Sequence, residues 1–202
     1  RTEGCGRRQA ATDVTQADSC LIYLLDKEKK TLILSASKNP HPNLLQKISL
    51  KVGEGITGWV AKTKIPLAIT KTAYQHPHFK LFRKLPEDKF EAFLSAPIMD
   101  RTGLVGVINV QHEKPHHHTD TEVRTLTALG KLVGAAIENA LLSEQLASRK
   151  LLDRAKGILM QQRNLSEPKA YELIRNQSMN RRKSIKDICE AIIMLDNLNS
   201  SI

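Results

Sequence analysis

The sequence predicts an α+β protein in two parts: an antiparallel sheet with flanking helices, then a long connecting helix that leads into a C-terminal three-helix unit. Three observations carry this. Before residue 112, apolar runs of strand length come in pairs joined by short turn-forming segments. From residue 120 the apolar period changes to that of a helix, and no proline interrupts it until Pro168. Positive charge then collects near the C-terminus. Between Arg149 and Lys186 there are eleven Lys and Arg against three acids (Asp153, Glu167 and Glu172), a balance of +8 in a chain whose total is +10. Charge concentrated in this way is the electrostatic footprint of a surface that meets phosphates, although a solvated helix face has the same composition.

Length and composition set the bounds. A chain of 202 residues suffices for one medium domain and a small one, and 41% hydrophobic with 26% charged residues is ordinary for a folded soluble protein. No apolar run approaches the roughly 18 residues that span a bilayer. The first residue is not Met, and Arg1 to Arg8 lacks the apolar core of a signal peptide, so the start reads either as trimmed or as part of a longer protein. Cys5, Cys20 and Cys189 are odd in number and far apart, which supports neither a disulfide framework nor a paired-cysteine metal motif. Cys20 and Cys189 fall on apolar faces and read as buried thiols. A reducing cytoplasm fits best.

The elements follow in order. Residues 1 to about 12 are polar and rich in Gly and Arg, and read as poorly ordered. Residues 19–25 and 31–37 form two strands, with the charged segment 26–30 as their turn. An extended stretch over 44–51 leads into Gly53 and Gly55, which permit a tight turn. A short helix over 56–62 and a brief strand over 67–70 follow. Residues 71–91 have no clean period and read as a long loop. Strands at 92–99 and 104–111 are joined by Asp100-Arg101-Thr102-Gly103, good chemistry for a type I turn. Thr119 and Glu122 make a capping box, and Leu126, Leu129, Val133 and Ile137 continue as one helix over about 120–162. Its internal glycines (Gly130, Gly134 and Gly157) only weaken it. A helix this long with a narrow apolar seam packs along a partner, and a parallel homodimer is the natural reading. Ser166 caps a second helix with Pro168 in its first turn, and Ser184 caps a third that turns Ile185, Ile188, Ile192 and Leu195 inward.

Residues of about 13 to 142 resemble a GAF domain, a small-molecule sensor module related to PAS domains. The carriers are the strand pair at 19–37, Gly53-Glu54-Gly55-Ile56-Thr57-Gly58-Trp59-Val60, Leu104-Val105-Gly106-Val107-Ile108-Asn109-Val110 and Ala135-Ala136-Ile137-Glu138-Asn139-Ala140. Residues of about 146 to 195 resemble an ANTAR domain, a three-helix RNA-binding module of transcription antitermination regulators. Its carriers are Ala155-Lys156-Gly157-Ile158-Leu159-Met160, Leu165-Ser166, Ala170-Tyr171 and Ser178-Met179-Asn180. The division of the chain is accordingly placed at 13–145 for the sensor domain and 146–202 for the RNA-binding domain.

The second resemblance implies a dimer in which each ANTAR domain takes one of two adjacent hairpin loops in nascent RNA. The residue types suit that task. Ala155 and Gly157 leave room for a loop backbone or a splayed base, although the same pair also suits close helix packing. Lys156 offers a charge to a phosphate. Arg154, Arg163 and Arg175 have guanidinium groups that pair with phosphates or stack on unpaired bases. Ser178, Asn180, Arg181 and Arg182 offer hydrogen bonds at the turn into the third helix. Met160 and Tyr171 read as core.

In the sensor half no nucleophile–base order, phosphate-binding loop or carboxylate pair stands out, so no enzyme is expected. The cyclic-nucleotide-binding set of GAF domains and a bilin-attaching cysteine are both missing. A small-molecule ligand of unknown identity is placed by analogy near Trp59, Phe79 and Phe82. His112, His116, His117 and His118 have the donors for zinc or nickel, but their loop position beside Pro115 favours surface histidines, as for His76 and His78, and no metal site is assigned. The expected function is a signal-responsive, cytoplasmic RNA-binding antitermination regulator with no membrane attachment. Two rivals stay open: a DNA-binding regulator using the last helices as a helix-turn-helix, and a sensor and dimerisation module that recruits a protein partner.

Overall fold

The computed structural model describes residues 17–26, 28–38, 45–77 and 90–199. Cys5, Phe79, Phe82 and His78, together with most of the 71–91 loop, lie outside the described residues. The chain divides into two compact units, 1–138 and 139–202.

In the first unit the strands are β1 (Ser19–Asp26), β2 (Thr31–Ser37), β3 (Ser49–Lys51), β4 (Leu67–Ile69), β5 (Ala92–Asp100) and β6 (Gly103–His112). They form one six-stranded sheet in the order β3-β2-β1-β6-β5-β4. Every neighbouring pair is antiparallel, as hairpin-joined strands require. The predicted extended stretch before Gly53 shortens to β3, because residues 45–47 turn. Gly53 and Gly55 take positive φ values of 93° and 70°, which lets the chain reverse from β3 into helix α1 (Gly55–Thr63). At the β5–β6 turn the Asp100 carboxylate oxygen accepts the backbone N–H groups of Thr102 and Gly103 at 2.7 and 2.8 Å.

Alternation along the strands buries both faces of the sheet. One face carries Leu21, Tyr23, Leu32, Leu34 and Phe93, and α1 covers it with Ile56 and Val60. The hydroxyl of Thr57 on α1 accepts the Asn109 amide at 2.8 Å, and Asn109 accepts the Ser95 hydroxyl at 2.6 Å. This buried polar chain fixes α1 to β5 and β6, since leaving any member unpaired would cost about 1–3 kcal/mol. The other face carries Cys20, Leu94, Ala96, Ile98, Ile108 and Val110 and is covered by Leu126, Val123, Leu129 and Val133. Those four belong to helix α2 (Asp120–Arg163), a continuous helix of 44 residues.

The capping box forms as expected: Glu122 accepts the Thr119 N–H at 2.7 Å, and the Thr119 hydroxyl accepts the Glu122 N–H at 3.2 Å. Two expectations about α2 need correction. Gly130 and Gly134 are contact points, not mere weaknesses. A Cβ on Gly130 would lie 2.5 Å from the Pro97 carbonyl oxygen, and one on Gly134 would overlap that of Met99. Only glycine allows the helix to lie this close to β5. By length and composition, α2 also holds an 18-residue window apolar enough to cross a membrane, which counting uninterrupted apolar runs overlooked.

The histidine-rich connection also departs from expectation. His112 and His118 are buried, at 5% and 6% exposure, whereas His117 is exposed. The cause is local: His112 ends β6 opposite Ala92, and the His116 N–H donates to the Thr70 carbonyl at 2.9 Å, drawing the loop against the sheet.

Candidate nucleic-acid interface

The second unit is built from the C-terminal part of α2, helix α3 (Glu167–Arg181) and helix α4 (Ile185–Asn199). Its core is small: Ala155, Ile158 and Leu159 from α2, Ala170 and Ile174 from α3, and Ile188, Cys189 and Ile193 from α4. Spacings of three and four residues put each set on one helix face. Ser184 caps α4 reciprocally with Asp187, each backbone N–H reaching the other's side chain at 3.1 Å. Ser166 sits at the start of α3 but makes no capping hydrogen bond through its side chain. Of the expected inward set on α4, Ile188 is buried and Ile192 partly buried, but the face is completed by other residues. Cys189 and Ile193 are buried, while Ile185 and Leu195 are 36% and 61% exposed.

The small-residue motif separates into parts with different surroundings. Ala155 is fully buried, so its expected place at an open surface is corrected: it is the low-bulk residue that lets α3 and α4 pack against α2. Gly157 is the opposite case. A Cβ there would meet nothing within 4 Å.

Lys156 is paired within the fold, which its place in the sequence did not indicate. Its Nζ lies 2.7 Å from Glu167 and 2.9 Å from Asp153, and its side chain is only 15% exposed. The Glu167 hydrogen bond first, then that of Asp153, raises its pKa above the ordinary lysine value. The ammonium joins α2 to the first turn of α3, and its charge is shared with two carboxylates within the fold. Asp153 is one helical turn before Lys156, but Glu167 approaches only through the fold.

The arginines remain at the surface. Arg163, Arg175 and Arg182 are exposed, and their guanidinium groups make no hydrogen bond or ion pair among the described residues. Arg154 is exposed and donates to the Asn197 side chain at 3.0 Å, and Arg181 donates to Gln177 at 3.1 Å. Arg182 caps α3 at a φ of 52°, the left-handed conformation. The Ser178 hydroxyl donates to the Lys183 carbonyl at 2.6 Å, which assigns it to holding that turn. Asn180 is exposed. Met160 and Tyr171, expected in the core, are 37% and 42% exposed.

A groove of about 250 Å³ was not foreseen from the sequence. Leu159, Leu173, Ile188 and Leu195 line it together with Arg163 and Arg181. The surplus of apolar residues on α4 beyond one helical face was the signal that could have indicated it. In the sensor unit, Trp59 packs partly buried against the α1-side core, and it is the one residue of the expected ligand pocket among those described.

A small cationic helical unit follows a six-stranded antiparallel sheet, an α+β chain in two units. Comparison with known proteins agrees. The GAF domain family model matches residues 8–138, and the ANTAR domain model matches residues 140–193. The chain belongs to the GAF domain family and carries an ANTAR domain after the GAF domain. Both are sensor and regulatory domains. Over 135 residues the chain is 29% identical to the phosphoenolpyruvate-dependent phosphotransferase system protein of Escherichia coli (strain K12), covering 65% of this chain and 18% of that one. It therefore spans less than a fifth of that relative's length. Over 56 residues it is 41% identical to the transcriptional regulatory protein PdtaR of Mycobacterium tuberculosis, covering 28% of this chain and 27% of that protein. The GAF domain from a phosphoenolpyruvate-protein phosphotransferase of Coxiella burnetii superposes with a TM-score of 0.62 at 25% identity, covering 69% of this chain and 86% of that one.

Proposed function

We propose that the chain is a signal-responsive RNA-binding regulator in which a dimer of ANTAR domains takes two adjacent hairpin loops of a nascent transcript and favours antitermination. The observation that carries this reading is the open cationic surface of the second unit, where Arg163, Arg175 and Arg182 are exposed and unengaged among the described residues. Guanidinium groups in that condition pair with phosphates and stack on unpaired bases without first breaking an internal bond. Arg154, Arg181 and Asn180 add donors, and the open space over Gly157 leaves a helix surface that a loop backbone can approach. The likeness to a transcriptional regulatory protein supports the same reading.

Dimerisation is proposed through α2, where Leu132, Leu142 and Leu146 are 65%, 49% and 55% exposed. With Ala135 and Asn139 they follow the alternating three- and four-residue spacing of a coiled-coil seam. The GAF domain, which we read as non-enzymatic, receives a small ligand or cellular signal and biases that helix between two dimer arrangements. The setting is the cytoplasm, where transcripts emerge.

A gel shift compares RNA bearing two adjacent hairpins with a single hairpin and with duplex DNA. Preference for the double hairpin is expected, and equal affinity for all three rules the reading out. Neutralising about six phosphates predicts a log–log salt slope of about −4.

A further inference from the structure

The strongest unexplained chemistry in the molecule is in the sensor unit, between the end of β6 and the start of α2. His112, His116 and His118 each place one ring nitrogen so that the three lie within 4.8 Å of one another. The rings crowd together: the His112 and His116 centroids are 4.1 Å apart, those of His116 and His118 4.9 Å. His112 and His118 are more than nine-tenths buried. Nε2 of His112 and both ring nitrogens of His118 have no hydrogen-bond partner among the described residues. A buried polar atom left unpaired costs about 1–3 kcal/mol, and a ligand that accepts an imidazole lone pair would satisfy one nitrogen each of His112 and His118.

We propose that His112, His116 and His118 bind a late first-row divalent transition ion, with zinc the best match to the donor set. Three neutral imidazoles are a zinc ligand set with a fourth position left for water or a small anion, whereas magnesium and calcium require oxygen donors. His116 is already oriented from behind. Its Nε2 lies 2.8 Å from Glu122, the arrangement by which a carboxylate fixes the ring of a metal-binding histidine and raises its basicity, leaving Nδ1 for the ion. Tetrahedral zinc brings its nitrogen ligands to about 3.3 Å from one another, so the three rings close by pivoting about their side-chain torsions. Sequence spacing alone does not assemble this set. The β6 end and the His116–Thr70 backbone bond draw it together, and His117, between two ligands, faces solvent.

The test titrates Zn²⁺ into the chelator-treated full chain by calorimetry and repeats it with Co²⁺, whose visible absorption distinguishes tetrahedral nitrogen ligation from a loose surface complex. One zinc per chain is expected, with affinity at least tenfold weaker in His118→Ala and His116→Ala and unchanged in His117→Ala. Glu122→Gln keeps a residue that completes the capping box but removes the carboxylate, so it folds and loses about 10–100-fold in affinity. It decides the matter if the buried His118→Ala variant does not fold. Absence of micromolar binding overturns the site, and so does binding that survives His116→Ala and Glu122→Gln, or that falls equally in His117→Ala.

Discussion

The two units bury their apolar residues to very different degrees. In the sensor unit the sheet is covered on both faces, and residues such as Phe93, Leu94, Ile98 and Val107 are fully shielded from water. The ANTAR unit has a core of eight residues, and beside it Met160, Met179, Met194, Leu195 and Leu198 are between 37% and 65% exposed. A sheet can be sandwiched by its own helices, but three short helical segments can cover only their shared seam. The difference teaches which unit leaves apolar surface open. Among the described residues the first closes its core over both sheet faces; the second presents an apolar and cationic surface suited to contact with another macromolecule.

Core truncation is expected to break this contrast most strongly. Ile174 is 1% exposed in the smaller core, and Ile174→Ala should cost about 4 kcal/mol through lost burial and the cavity left behind. Trp59, the only tryptophan, reports on the sensor unit, while far-ultraviolet circular dichroism reports on the helices. The expected outcome is an earlier helical transition with the Trp59 fluorescence transition nearly unmoved. A mild effect would mean that the ANTAR core is less tightly packed than its burial implies.

The glycines of α2 sharpen the comparison, because one substitution should have opposite signs in the two units. Gly134→Ala forces a methyl group into the Met99 carbonyl and should destabilise the sensor unit by about 3 kcal/mol. Gly157→Ala meets no neighbour and should stabilise the helix by about 1 kcal/mol. If a transcript loop lies over Gly157, that gain comes with weaker RNA binding. Chemical denaturation and a gel shift on the same variant measure both, and destabilisation by Gly157→Ala would place an undetected contact there.

Charge gives the next contrast, within the ANTAR unit. Arg175→Ala should weaken RNA binding about tenfold, equivalent to about 1.4 kcal/mol, and reduce the salt slope by about 0.7 with the fold intact. Lys156→Ala should leave the salt slope unchanged and instead loosen the join between α2 and α3, because its charge is already paired with Asp153 and Glu167. Equal loss of RNA binding in both variants would return Lys156 to the interface.

Local pattern made much of this legible. The β1–β2 and β5–β6 hairpins, the Thr119–Glu122 capping box and the long α2 follow from turn chemistry and period, which depend on neighbours in sequence. What depends on a distant element did not. Nothing near Gly134 announces the Met99 carbonyl, and nothing beside Lys156 announces Glu167. Ala155 and Gly157 look equivalent in the sequence, yet their faces on the helix differ, so one is core and the other open. The histidines read as a surface run because their burial comes from the Thr70 bond and the β6 end.

The smallest expected effect concerns acid. Hydrogen bonding from Lys156 holds Asp153 below the ordinary aspartate value of 3.8, and hydrogen bonds from Ser184 do the same for Asp187. In the unfolded chain both carboxyls protonate near that ordinary value, so below it the unfolded state binds more protons than the folded one. Their contribution is therefore fully present above 3.8 and is lost as pH falls through the lowered folded values. Both groups are exposed, so solvent and salt screen the effect and a small slope is expected. Asp153→Asn removes one of these titrations together with the Lys156 pair. The helical stability of the natural chain should fall more steeply than that of the variant as pH drops below 3.8, and the gap should shrink at high salt. Parallel pH profiles would mean that the Asp153–Lys156–Glu167 cluster only positions Lys156 and adds nothing to the stability of the ANTAR unit.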